Sequence, residues 1–235
     1  MKCFLPIAVV CLFLASAAFG QTDSSKATPG TSDTTLSSGA QFDQEVIFYG
    51  GSSVPYLPGD FKDLSRRGWN AGAGYGISFA PGSIGYGALY ATLEFGRFPF
   101  NETGYRSLLA REFPTDDPDK IQNGEIIARG TTKLVSAMVT FKGCFSSTKQ
   151  SIAPYFLLGA GFLHASSDSI AMRGFSSYTI EKSSESGFAW TFGVGFEIPI
   201  MERFALFAQG SSVIAVFKDT RQYFPVSGGI RIRVK

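Results

Sequence analysis

Residues 68–79 read Gly68-Trp69-Asn70-Ala71-Gly72-Ala73-Gly74-Tyr75-Gly76-Ile77-Ser78-Phe79. Every odd position is apolar, and every even position is tiny or polar. Side chains alternate across a strand, so this segment predicts one oily face and one nearly bare face. The oily face is broad enough to meet lipid, and the bare face suits the crowded interior of a narrow barrel. The pattern returns at 187–198, where Phe188, Trp190, Phe192, Val194, Phe196 and Ile198 oppose Gly187, Ala189, Thr191, Gly193, Gly195 and Glu197.

Working outward from these two segments, six more alternating stretches appear. Strands are expected near 44–54, 86–99, 132–142, 153–165, 203–216 and 223–234, giving eight with 68–79 and 187–199. Each is long for a globular strand but suits a tilted strand crossing a bilayer, which needs about 9–11 residues. The composition agrees, with 23 Phe, 9 Tyr and 27 Gly. No window longer than about a dozen residues after the first 41 has a helical period.

The connections alternate in length. Those at 80–85, 143–151 and 200–202 are short, and those at 55–67, 100–131 and 166–186 are long; only 217–222 breaks the rhythm. Short turns at one end and long loops at the other are expected of an outer-membrane barrel, with the turns in the periplasm. A soluble β-sandwich also alternates, but its outward face is polar, whereas here the larger face of both defining strands is aromatic. The lipid-facing residues are expected to include Trp69, Tyr75, Phe79, Phe188, Trp190 and Phe192. Glu94, Glu197, Arg231 and Arg233 are expected to point into the lumen, with Gln209 and Lys142 beside them.

The chain opens Met1-Lys2 followed by an apolar run to Phe19, with small residues at Ala18 and Gly20. This predicts a secretory signal over 1–20, cleaved after Gly20 or after Ala18. Residues 21–41 are Ser-, Thr- and Gly-rich and read as a disordered linker, leaving 42–235 as one domain. Cys3 and Cys11 would leave with the signal, and Cys144 reads as an inert small hydrophobe. The 21 basic and 19 acidic residues give a formal charge of +2, without the basic excess of a nucleic-acid binder.

No catalytic constellation stands out. His164 is the only histidine, so a His–His metal pair cannot form, and it is expected at the outer rim. Asp116-Asp117-Pro118-Asp119 lacks the Gly and distal Glu of an EF-hand loop and reads as a solvated turn. Gly72–Gly76 lacks the Lys-Ser/Thr ending of a phosphate loop and lies inside a strand. No cofactor or metal site is expected.

In order along the chain come Tyr49-Gly50-Gly51-Ser52-Ser53-Val54-Pro55, Gly68–Tyr75, Pro154-Tyr155-Phe156-Leu157-Leu158-Gly159-Ala160-Gly161, Phe192–Glu197 and Phe224–Arg231. With these segments, residues 43–235 resemble the small outer-membrane β-barrel family, the eight-stranded OmpA-like barrel domains of Gram-negative bacteria. The resemblance implies an all-β, antiparallel up-and-down transmembrane barrel. It also implies a salt-bridged plug, here Glu94 and Glu197 pairing with Arg231 or Arg233. Members usually finish on an aromatic residue, whereas this chain finishes Arg233-Val234-Lys235. The expected partners are outer-membrane lipid, the barrel assembly machinery and something met by the loops, of which 100–131 is unusually apolar. The reading is a monomeric, non-enzymatic outer-membrane protein with a structural or surface-interaction role and a closed lumen. The alternatives are a small-solute channel or transport component, and a soluble exported lipocalin-like barrel.

Overall fold

The computed structural model describes residues 42–56, 60–82, 85–114, 118–145, 152–173, 179–218 and 220–234. The expected signal and linker, Asp116, Asp117 and Lys235 lie outside the described residues. Eight strands form the wall: β1 (Phe42–Pro55), β2 (Gly68–Gly82), β3 (Gly85–Phe98), β5 (Thr132–Cys144), β6 (Ala153–Ser167), β8 (Ser183–Met201), β9 (Phe204–Val216) and β10 (Thr220–Val234). Each pairs antiparallel with its neighbour, and β10 pairs back onto β1 to close the barrel. The first and last strands meet over twelve residue pairs, from Gln44↔Val234 to Pro55↔Tyr223. Closure removes the open edges that hydrocarbon cannot solvate.

The alternation fixes the faces. Trp69, Tyr75, Phe188, Trp190 and Phe192 are exposed on the outside, and Phe79 lies half-buried there with its ring 6.4 Å from that of Phe141. Leu93, Val139, Phe162, Val194 and Val226 extend this belt around the wall. In water so much exposed apolar surface would be an aggregation hazard; in a bilayer it is the face that hydrocarbon solvates. No described helix is long and apolar enough to cross a membrane, and this chain spans with strands.

Inside, glycines make room for tyrosines. A Cβ on Gly76 would lie 2.4 Å from the Tyr90 ring, and one on Gly72 would lie 2.5 Å from that of Tyr49. The bare face of β2 is therefore the socket for rings carried by β3 and β1.

Several strands outrun the sequence-based bounds, β8 most of all. Its first residues, Ser183–Ser186, pair with the polar end of β6 from Ser167 to His164. A serine-rich stretch has no alternation to read, so it looks like loop although it continues the ladder.

The long connections are also structured. They carry α1 (Asp60–Leu64), α2 (Glu102–Glu112), α3 (Pro118–Asn123), β4 (Ile126–Ala128) and β7 (Ala171–Met172). Tyr105, Leu109, Ile121, Ile170 and Met172 are buried together, flanked by Leu64, Phe100, Phe113, Ile126 and Ile180. Apolar residues of 100–131 thus share a small core with Leu64 of 55–67 and with Ile170, Met172 and Ile180 of 166–186, a cap at the loop end. Arg106 ties it: its guanidinium reaches Glu102 at 2.8 Å, the Ile121 carbonyl at 2.5 Å and the Gly124 carbonyl at 3.0 Å.

Gly104 sits where α2 meets α1, and a Cβ there would lie 1.9 Å from the Asp63 carbonyl oxygen. Gly104→Ala is expected to loosen the cap by about 1–3 kcal/mol of overpacking strain. Limited proteolysis should cut the loops faster while the heat-shifted gel mobility of the barrel is unchanged. Arg106 also holds the Glu102 carboxyl below the usual carboxylate range. A group depressed in the folded state stabilises above its ordinary pKa and loses that contribution as pH falls through the depressed value. Cap proteolysis should therefore rise below about pH 4, and Glu102→Gln should flatten that rise.

Candidate functional site: the lumen

The turn-end half of the lumen holds four buried charges. Glu45, Lys142, Glu197 and Arg231 each lie within four residues of the turn-end terminus of their strand. Arg231 stands between the two carboxylates. One terminal nitrogen donates to Glu45 Oε1 at 2.9 Å, the other to Glu197 Oε1 at 2.6 Å, and Nε donates to the same Glu197 oxygen at 3.0 Å. Lys142 donates to the other Glu197 oxygen. Tyr86 donates to Glu197 at 3.0 Å, and Tyr90 donates to Glu45. The Lys142 ammonium also lies 4.6 Å from the centre of the Tyr155 ring, an arrangement that stabilises a desolvated cation.

Two acids and two bases sum to zero, and each carboxylate has at least two donors. That is the condition for tolerable charge in a lumen wrapped by hydrocarbon. β1 and β10 supply one pair across the closing seam, while β5 and β8 reach in from the far wall.

The expected membership of this plug changes in both directions. Glu197 and Arg231 pair, but Glu94 and Arg233 do not join them. Glu94 is nine residues into β3 from the turn end, so strand length carries it toward the loops. There it lies beside Asn70 and Tyr49. Arg233 sits one inward position nearer the rim than Arg231 and pairs with Asp43 at 3.4 Å. Glu45 was missed because the alternation of β1 blurs at Gly50-Gly51; its position five residues ahead, opposite the clean pattern of β2, was the available signal. Lys142 joins the plug, while Gln209 accepts a bond from Tyr155 at 3.2 Å.

Above the plug lies a cavity of about 70 Å³, lined by Tyr49, Thr92, Glu94, Thr140, Gln209 and Ser211 among others. Polar groups share this wall with Ile47, Met138, Leu157 and Phe207, and its size suits a few water molecules held by the polar ones. Toward the loops the lumen turns apolar: Phe98, Leu134, Leu163, Ala189, Val213 and Tyr223 are buried together, with Phe61 and Phe217 packed on them. The Phe98 ring stands 5.7 Å from Tyr223 and 5.2 Å from Phe61. Two layers of unlike chemistry thus flank a wettable chamber.

Little else carries chemistry. His164 is exposed on β6, with Nδ1 2.8 Å from Ser186 Oγ and Nε2 3.2 Å from Ser184 Oγ. Both ring nitrogens go to hydroxyls, so no acid orients the ring as in a hydrolytic triad. Cys144 is buried in the lower lumen. Among the described residues, no group of three or more His, Cys, Asp or Glu is placed to hold a metal.

No family model matches the sequence, and neither does any curated protein. Among solved structures the chain is similar to Neisserial surface protein A, at 13% identity over 83% of this chain and 99% of that one, with a TM-score of 0.41. It is similar to Ail, the attachment invasion locus protein of Yersinia pestis, solved in complex with the heparin analogue sucrose octasulfate, at 15% identity over 82% and 99%, TM-score 0.40. It is also similar to the N-terminal β-barrel domain of Pseudomonas aeruginosa OprF, at 14% identity over 83% and 100%, TM-score 0.38. These similarities are low, and the barrel stands on the strand register described above.

Arg231→Ala would leave Glu45 and Glu197 with only Lys142 to neutralise them. We expect a loss of about 3–5 kcal/mol, the usual cost of stranding a buried charge. The double change Lys142→Met with Glu197→Gln removes one charge of each sign and should cost less. Urea titration of the folded gel band checks both.

Proposed function

We propose that this protein is a non-enzymatic integral membrane barrel of the outer membrane, with a closed lumen and a cap that presents a fixed surface outside the cell. The observation that carries this is the pairing of two lumen layers with a cap that has a core of its own. A polar chain of water through the barrel would have to cross both the Arg231 plug and the layer around Phe98 and Tyr223. Among its described residues the cap adds organised surface and no His, Cys or metal-ligand cluster, which suits recognition rather than chemistry. In this reading the chain is exported by a cleaved signal, is inserted by the barrel assembly machinery and works as a monomer.

The chamber of about 70 Å³ favours one second reading, a small-solute channel that opens when both layers move. Planar-bilayer recording separates the two. The closed reading expects no stable conductance from the purified wild type; stable, single-valued openings would sink it and support the channel. The cap is tested separately by replacing residues 102–128 with a short Gly-Ser linker. The barrel should still fold in detergent and shift on boiling, because the cap core shares no buried residue with the lumen layers.

A further inference from the structure

We propose that the outer face of β2, β3 and β5 at the loop end binds the phosphate head group of a membrane lipid. Trp69 pairs with Arg97, and Arg97 pairs directly with Lys133, so the three stand in one row across adjacent strands. All three are exposed, on the same face as Tyr75, Leu93 and Val135. Two cations opposite one another on a sheet face repel. Among the described residues Lys133 has one acidic partner, Asp168, at 3.8 Å and half-exposed. Among the described residues Arg97 has no acidic partner. On the other side of Trp69, Arg67 donates from Nε to Ser52 Oγ at 2.5 Å, and Ser52 is the cross-strand partner of Trp69. Three cations and one carboxylate therefore edge the wall over four strands, an excess of two positive charges.

The place of this excess selects the ligand. The row lies at the loop-end margin of the apolar belt, where the rings of Trp69 and Phe95 stand 5.5 Å apart. Margins of this kind meet head groups, and guanidinium forks match phosphate oxygens in pairs. Below the two cations the same strands carry exposed apolar side chains, Phe95 and Leu93 on β3 and Val135 on β5. A phosphate between Arg97 and Lys133 would relieve their repulsion, and an acyl chain attached to it would run down this apolar strip. A soluble anion would use the charges but neither the aromatic margin nor the strip. A lipid whose head group carries anionic phosphate without a compensating ammonium fits all three.

This inference rests on the membrane reading, so insertion is scored first by the shift of gel mobility on boiling. A chain that does not insert overturns both. The inserted full-length chain is then examined by native mass spectrometry in zwitterionic micelles, with diphosphoryl lipid A and phosphatidylcholine as probes. Wild type should retain diphosphoryl lipid A at least tenfold better than the Arg97→Gln, Lys133→Gln double variant. In lipid-free micelles the double variant should unfold at the same or a higher temperature, since it has lost a repulsion; a purely structural role would make it less stable. Equal retention by the two proteins, or equal retention of both lipids by wild type, overturns the proposal and leaves the barrel reading intact.

Discussion

The barrel depends on Arg231 finding both Glu45 and Glu197. Oppositely charged groups packed this deeply in a lumen whose walls face hydrocarbon are tolerable when matched, and the two acids and two bases form such a closed set. The set constrains geometry as well as charge. Side chains alternate with period two, so a slip of one residue in β1 or β10 would turn a member toward lipid. The twelve-pair seam and the plug therefore specify each other.

The rest of the interior follows from volume. Rings as large as tyrosine fit into an eight-stranded lumen only where the facing strand gives up its side chains. β2 does so at Gly72 and Gly76, and β8 does so at Gly195, where a Cβ would lie 2.5 Å from the Tyr155 ring. Of those rings, Tyr90 gives its hydroxyl to the Glu45 carboxylate and Tyr155 gives its own to the Gln209 amide. Glycine on one strand thus makes possible a hydrogen bond from a second strand to a third.

Much of this was legible in the sequence, for a definite reason. Period-two alternation over a dozen residues is a strong local signal, and at 68–79 and 187–198 it assigns the faces residue by residue. It also places Glu197 and Arg231 inside. Depth along the axis is a different matter, because it depends on strand length and stagger, which alternation does not report. Hence alternation puts Glu94 with partners that lie at the other end of the barrel, and draws Arg233 into a plug whose one guanidinium is that of Arg231. The helix α2 left a legible trace in Tyr105, Leu108 and Leu109, at i, i+3 and i+4, with Glu102 and Arg106 one turn apart. That trace is only eleven residues long and sits among strands, so its apolar residues read as an oddity of a loop.

The bond between Arg231 and Glu45 joins residues 186 positions apart in the chain. It cannot form until the last strand has docked on the first, so the most demanding electrostatic requirement is met last. Any partly inserted intermediate would carry these charges unmatched beside lipid, at a cost that grows with depth. Joining the ring before the strands descend avoids that cost, so the ion pair that steadies the finished protein also favours closure before insertion.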